Sequence, residues 1–418
     1  MSDQIAPDGS AEQDSAGQVR GGFRAYPREI WVLVAASFLI ALGYGLVAPA
    51  LPTFAVSFDV SITAASVVVS AFAFMRLAFA PASGRLVTRF GERPIYLIGI
   101  LVVGLGSIAC AFAVNYWQLL IFRALSGVGS TMFTVSAVGL LIRMAPEHLR
   151  GRVSGLWGTS FLLGNIAGPA LGGGLVAVSL RAPFLCYGAA LLVVTVLVWA
   201  LLRHSTLAGR QDADTASALT LRAALRNRAY RAAMASNFSN GWTVIGVRVS
   251  LIPLFVTAVL QESESSSGIA LAIFAVGNVV VLTIAGRLAD TWGRKPLVLS
   301  GLALLAIGTV LLGQSGTLWF FFVASLVAGA GAGAVNPAQN ATVADVLGSK
   351  ARGGTVLAGY QMAADVGAIL GPLLAGVVAE HLSYGAAFTL SAAVAAVAVL
   401  VWLPAPETLP AAAKASVR

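Results

Sequence analysis

Four ionisable side chains lie inside apolar runs long enough to cross a bilayer: Arg76, Arg123, Arg248 and Asp365. A charge at mid-bilayer costs about 2.5–3.5 kcal/mol even on the lenient insertion scale, so each needs a partner, water or a task. Asp365 is the one acid near the middle of such a run. Burial favours the neutral form of a carboxyl group, and a neighbouring guanidinium favours its charged form. Asp365 beside Arg76, Arg123 or Arg248 would therefore be a pair that a proton can break. The same groups can equally make a fixed ion pair, or be solvated by a water-filled cavity. Arginine also offers planar, two-pronged recognition of carboxylate and phosphate. Arg76 sits nearest the end of its run, and its long stem predicts that it reaches back to the headgroup layer.

The elements that must position these groups are membrane helices. Of 418 residues, 58% are hydrophobic and only 10% charged, against about 25% charged in soluble domains. A spanning helix needs about 20 apolar residues. Six runs fall near 30–52, 62–83, 95–114, 117–143, 151–179 and 183–202, and six more near 231–259, 267–286, 296–314, 317–346, 353–380 and 384–404. The expected fold is all-α and polytopic, with twelve transmembrane helices. Its parts are a polar, disordered tail (1–28), a six-helix half (29–202), a linker (203–230), a second half (231–405) and a tail (406–418). Residues 1–28 show no apolar core, so no separate signal peptide is expected within them.

The halves echo each other. Gly84-Arg85-Leu86-Val87-Thr88-Arg89-Phe90-Gly91-Glu92-Arg93-Pro94 returns as Gly286-Arg287-Leu288-Ala289-Asp290-Thr291-Trp292-Gly293-Arg294-Lys295-Pro296, shifted by 202 positions (286 minus 84). Each copy reads as a short basic turn between two helices, its glycines allowing close backbone approach and its proline starting the next helix. The net charge of +9 raises the prospect of a nucleic-acid partner, but the basic residues concentrate in alternate turns. That is the positive-inside pattern, with anionic lipid headgroups as the expected partner. The turns near 83–94, 143–152, 286–296 and 347–353 are then cytoplasmic, as are both termini of an even-spanning chain. In the linker, Leu221 and Leu225 stand four apart, as do Arg222 and Arg226, which predicts either a helix in the headgroup layer or a plain tether.

Two six-helix halves, a basic central loop and a G-R-L-x-x-x-x-G-x-[RK]-P turn after the second and eighth helices resemble the major facilitator superfamily, over residues 29 to 405. The resemblance implies alternating access to a central site. It also implies a cytoplasmic gate comprising Gly84, Arg85, Gly91, Arg93, Gly286, Arg287, Asp290, Gly293 and Arg294. In the family the acid of this turn helps latch the halves, and Asp290 holds that position. The first copy departs, with Thr88 there instead. Asp345 aligns with Arg143 under the same shift, and opposite charges at equivalent sites would suit a gate. The alternatives are turns that only set hairpin geometry and charges that are simply solvated.

A second match narrows the family. Gly164-Asn165-Ile166-Ala167-Gly168-Pro169-Ala170-Leu171-Gly172-Gly173 is similar to the G-x-x-x-G-P-x-x-G-G signature of its drug:proton antiporters, and Gly367, Gly371, Pro372 and Gly376 repeat the spacing in the eleventh helix. Glycines four apart make a flat stripe for a neighbouring backbone, and proline removes a helical hydrogen bond. In the fourth helix Leu119, Arg123, Gly127 and Gly129 resemble the L-x-x-x-R-x-x-x-G-x-G pattern, whose arginine is implicated in proton coupling in relatives. The resemblance implies proton coupling for Arg123, and the burial of Asp365 beside an arginine makes it the candidate proton carrier. Tyr44, Arg76, Trp157, Asn237, Asn240, Trp242, Arg248, Asn336, Gln339 and Gln361 are candidate cavity residues, since polar groups in lipid turn to the bundle interior.

The resulting expectation is a monomeric, proton-coupled exporter of small organic molecules in a bacterial plasma membrane. The alternative is a metabolite carrier for a neutral or anionic substrate, because the first helix lacks the acid that many multidrug relatives use for cations. No metal site, cofactor or enzyme activity is expected: His148, His204 and His381 lie in loops without ligand spacing, and Cys110 and Cys186 lie in apolar runs.

Overall fold

The computed structural model describes residues 28–144, 150–203, 221–347 and 354–409. The polar tail, the linker before Leu221 and the end of the chain after Leu409 lie outside the described residues. Among the described residues, twelve helices are long and apolar enough to span a bilayer. In the first half these are α1 (Arg28–Val47), α2 (Ile62–Phe90), α3 (Glu92–Ala111), α4 (Tyr116–Met144), α5 (Arg150–Val176) and α6 (Ala182–Leu202). The second half has α7 (Arg228–Ala258), α8 (Glu264–Thr291), α9 (Arg294–Gly313), α10 (Leu318–Leu347), α11 (Gly354–His381) and α12 (Tyr384–Trp402). Every backbone group in lipid must bond within its own helix, which is why apolar runs of this length become helices.

Two boundaries differ from the sequence expectation, each for a local reason. The first helix ends at Val47 rather than near 52, and the chain turns before a short helix, Leu51–Val56. Pro52 has no N–H to give, and its ring would strike the carbonyl four residues back. The signature turns are also shorter than expected: α2 runs through Gly84 to Phe90, and the turn shrinks to Gly91 at φ 87°. Gly293 at φ 119° ends the equivalent α8 segment. The glycine requirement is therefore at Gly91 and Gly293, in backbone that L side chains rarely adopt. Gly84 and Gly286 face open space, so the close approach expected of them is absent in this conformation.

The two halves repeat one packing scheme. In the first, α1 lies against α5 and α6, α4 against α2 and α3, and α3 against α6. In the second, α7 lies against α11 and α12, α10 against α8 and α9, and α9 against α12. The halves meet along α2–α11 and α5–α8. The peripheral helices expose Leu105, Val196, Ile307 and Leu400, as lipid-facing surfaces should. The glycine stripe of α5 does what its spacing predicts: Gly164, Gly168 and Gly172 press on the α1 backbone at Phe38, Leu42, Gly45 and Leu46. Gly367 and Gly371 of α11 press likewise on Phe238 and Trp242 of α7.

All recorded hydrogen bonds, ion pairs and close glycine approaches between the halves, among the described residues, lie between mid-membrane and the end away from the basic turns. On the α2–α11 seam they are Thr63–Glu380, Ser66–Gly376, Ser70–Ile369 and Arg76–Asp365. On the α5–α8 seam Gly173 and Pro169 meet Gly268. The molecule is thus sealed at the non-basic end.

Gly168→Leu drives a side chain into the Leu42 carbonyl and Gly45 of α1, an overpacking that costs about 1–3 kcal/mol. A fall of several degrees in the thermal midpoint of purified protein is expected. Gly84→Ala, with free space around it, is expected to leave the midpoint unchanged or slightly raised.

Candidate functional site

Between the halves lies a cavity of about 380 Å3. Its first-half wall is mostly apolar, with Ile40, Ile100, Val103, Phe133, Phe161 and Leu191. The second-half wall carries Arg248 and three amides, Asn240, Asn278 and Asn336. A small recess shares Tyr44, Phe72, Arg76 and Ile245 with the cavity and adds Gln361 and Asp365.

Asp365 finds its counter-charge across the seam. A terminal nitrogen of Arg76 stands 3.8 Å from Asp365 Oδ1. The pair is loose, without a hydrogen bond inside that distance, and both side chains keep some exposure, 28% and 15%. The Arg76 backbone carbonyl accepts the Thr131 hydroxyl of α4 at 2.8 Å, fixing α2 at this point. Phe72 and Arg76, four apart, share the face of α2 that lines both spaces. The headgroup position expected for Arg76 is thus not observed; the acid opposite offers a nearer partner than water.

Arg123 makes no ion pair with Asp365. It is buried, with its guanidinium 4.2 Å from the Phe72 ring centroid and 5.7 Å from that of Tyr44. Aromatic faces hold a desolvated cation by their quadrupole. Its Nε has no hydrogen-bond partner. Arg248 repeats the device in the other half, 4.5 Å from the Phe274 ring, and Phe274 is Phe72 shifted by 202 positions. Nε of Arg248 donates to the Val244 carbonyl at 2.9 Å. Arg248 follows Gly241–Val247, a stretch of π-helix inside α7, a feature frequent at functional sites.

Three other candidates face away from the cavity. Trp242 donates from its indole to Ser391 of α12 at 3.1 Å. Asn237 donates to the Tyr360 carbonyl of α11 at 2.7 Å, and its oxygen accepts from Gln339 at 3.4 Å. Gln339 also reaches Asn336, at 3.2 Å. These groups tie α7, α10, α11 and α12 together: inside a half, partners are plentiful and water is not. Tyr44, Asn240, Asn336 and Gln361 do line the cavity or its recess. The Trp157 side chain lies outside the described residues. Asn278, Asn165 and Tyr187 also line the cavity; an amide inside the apolar run of α8 was a signal available for Asn278.

At the basic end, the signature residues bond within their own halves. Nε of Arg294 lies 3.1 Å from Asp345, and a terminal nitrogen lies 3.3 Å from Asp290. Asp345 also accepts from Thr408 at 2.8 Å. Lys295 donates to the Leu403 carbonyl at 2.6 Å and Arg93 to the Arg203 carbonyl at 2.9 Å, each closing the end of its half's last helix. Thr88, in place of the acid, bonds back to the Gly84 carbonyl. The expected cross-half partnership of Asp345 is therefore not present in this conformation: Arg294 takes it. The Arg143 side chain lies outside the described residues.

At the opposite end, Glu380 Oε2 accepts the Thr63 N–H at 2.9 Å. Together with the N-cap Ser61 it closes the first turn of α2, where a carboxylate is favoured by the helix dipole.

A family model described as Major Facilitator Superfamily matches residues 33–256 and again 233–418. The chain belongs to the major facilitator superfamily. It is a multi-pass membrane transporter that handles small molecules. The class H tetracycline resistance protein of Pasteurella multocida is 28% identical over 362 residues, 83% of this chain and 88% of that protein. The class B tetracycline resistance protein of Escherichia coli is 29% identical over 361 residues, 82% and 87% of the two chains. Among solved structures, a bacterial homolog of the human lysosomal transporter Spinster, inward-facing and unoccupied, superposes with a TM-score of 0.71 at 15% identity, over 93% of this chain and 98% of that one. That likeness bears on the fold.

Removing the Glu380 carboxylate weakens the non-basic seal by one charge-assisted hydrogen bond. In a background lacking Cys110 and Cys186, a cysteine at Ser66, fully buried here, is expected to react with a membrane-impermeant maleimide several-fold faster once Glu380→Ala is added.

Proposed function

We propose that this transporter exports small organic molecules from the cell in exchange for protons. The observation that carries the reading is the Arg76–Asp365 pair: one acid and one base, from different halves, 3.8 Å apart in a recess that opens on the cavity. The resistance proteins among its relatives support organic compounds as cargo. The glycine-proline signature on α5, pressed against α1 and α8, supports export.

The basic turns are read as cytoplasmic, which makes this conformation inward-facing with both termini inside. In it Asp365 has released its proton to the cytoplasm and is held by Arg76, while the cavity takes up its cargo. The halves then rock and open the other face. A proton arriving from outside neutralises Asp365, the attraction to Arg76 is lost, and the return stroke carries the proton inward. Arg123 acts as a fixed positive charge behind Tyr44 and Phe72 that disfavours a second cation nearby. The basic-end residues Arg85, Arg93, Arg287, Asp290, Arg294, Asp345 and Arg143 provide the surfaces that meet when the cytoplasmic side closes, Asp290 alone supplying the acid that Thr88 does not. The halves 29–202 and 231–405 move as units joined by 203–230. The protein acts as a monomer in a bacterial plasma membrane, its basic turns against anionic headgroups.

The reading is tested in sealed vesicles containing a pH-sensitive dye, energised by an imposed proton gradient and given a panel of cationic, neutral and anionic compounds. Compound-driven proton movement is expected with the unaltered protein, and a reduction to background, about tenfold or more, with Asp365→Asn. Full proton-coupled transport by Asp365→Asn would remove Asp365 from the mechanism.

A further inference from the structure

The cavity has a charge of its own that the proton step does not use. Among the described residues Asp365 is the single acid lining the cavity or its recess, and Arg76 engages it. Arg248 is left with no carboxylate within ion-pair distance among the described residues. Its Nε is spent on the Val244 carbonyl, and the face of the guanidinium is spent on Phe274. The terminal nitrogens remain, and their fork is suited to two parallel bonds with one carboxylate. Arg123 adds a second uncompensated cation behind Phe72.

The surroundings extend the pattern. Asn240 and Asn278 line the same wall as Arg248, and no side-chain hydrogen bond is recorded for either amide. Asn336 accepts from Gln339 with its oxygen, leaving its N–H groups for the cavity. The opposite wall is mainly aliphatic and aromatic, with Ile100, Phe133, Phe161 and Leu191, interrupted by Ser130, Thr134, Asn165 and the engaged Arg76. One side therefore offers an unengaged guanidinium and amide donors, the other a mainly apolar bed. The volume, about 380 Å3, is that of a site for a compact organic molecule.

We propose that this cavity takes organic anions: molecules with a compact apolar or aromatic body and a carboxylate or comparably acidic oxygen, whose anionic end is received by Arg248 with Asn240 and Asn278. The proposal rests on reading the cavity as the transport site. A cation there would face Arg248 and Arg76 with its one possible counter-ion already engaged. An anion instead relieves the desolvation of an unpaired guanidinium, so its affinity includes the cost that the empty site bears.

The test uses three ligands with one body: naphthalene-2-carboxylate, its methyl ester and the naphthylmethylammonium cation. Binding is measured by tryptophan fluorescence on purified protein in lipid nanodiscs. The unaltered protein is expected to prefer the carboxylate over the ester by about tenfold, the worth of a charge-assisted hydrogen bond. Arg248→Gln is expected to bring that ratio to about one, and Arg248→Lys, which keeps the charge but loses the fork, to keep part of it. Because the ratio is taken within each variant, a change in the amount of folded protein does not mimic the effect. No carboxylate preference in the unaltered protein, a preference for the ammonium, or a ratio unchanged by Arg248→Gln would each overturn the proposal. The same ligands in the dye-loaded vesicles separate it from the exporter reading. Proton movement driven by the ester or ammonium alone sinks the anion site and keeps proton-coupled export. Arg248-dependent carboxylate binding without any proton movement does the reverse.

Discussion

An ionised group in hydrocarbon is tolerated only beside a counter-charge, an aromatic face or water, and this protein meets that constraint differently at each of its intramembrane charges. Asp365 and Arg76 compensate each other across the seam between halves. Arg123 and Arg248 are each laid on the phenylalanine at the same position of the repeat. The consequence is an ordering of how firmly charges are held. A group stacked on a ring inside its own half keeps that partner when the halves move. A pair that joins the two halves must break or re-form in every cycle, which makes α2–α11 the place where charge and motion are coupled.

The second requirement is backbone proximity. Glycines at four-residue spacing let α5 lie on α1 and α11 lie on α7 with main chain against main chain. Such seams have few side chains to interdigitate, so helices can slide or tilt without unlocking a jigsaw. The seal at the non-basic end draws on the same device, since Gly173 of α5 meets Gly268 of α8. On the other seam a single carboxylate, Glu380, holds the start of α2. Closure at this end therefore combines a smooth glycine contact on one seam with polar contacts on the other, all reversible.

Much of this was legible in the residues. Long apolar runs gave the twelve spans because lipid leaves the backbone no other choice, and the repeated G-R-L turn disclosed the two halves. The glycine stripes found their neighbours as spacing predicts. Which arginine meets Asp365 was not legible: that depends on how α2 and α11 cross, a relation between halves that no run of residues records. Nor was the facing of Trp242, Asn237 and Gln339, which satisfy one another within the second half although their types suit a cavity equally well. Pro52 did carry the signal that ends α1 early, and the positive φ of Gly91 and Gly293 explains why the turns need only one or two residues.

The π-helical stretch Gly241–Val247 lies between the two tasks of α7. Asn237, before it, braces the interior of the second half, and Arg248, after it, fronts the cavity. Wide i→i+5 turns absorb an extra residue, and each residue of an α-helix advances the face by about 100°. The stretch is thus a phase shifter, and the length of this segment is as informative as its composition. A relative one residue shorter here would close a regular α-helix and keep the arginine on the same wall, whereas the same residues rewound as a regular α-helix would swing it by about 100° and present a different wall to the cavity. For this helix, a switch of winding in one short segment is a change of cavity wall made without any substitution.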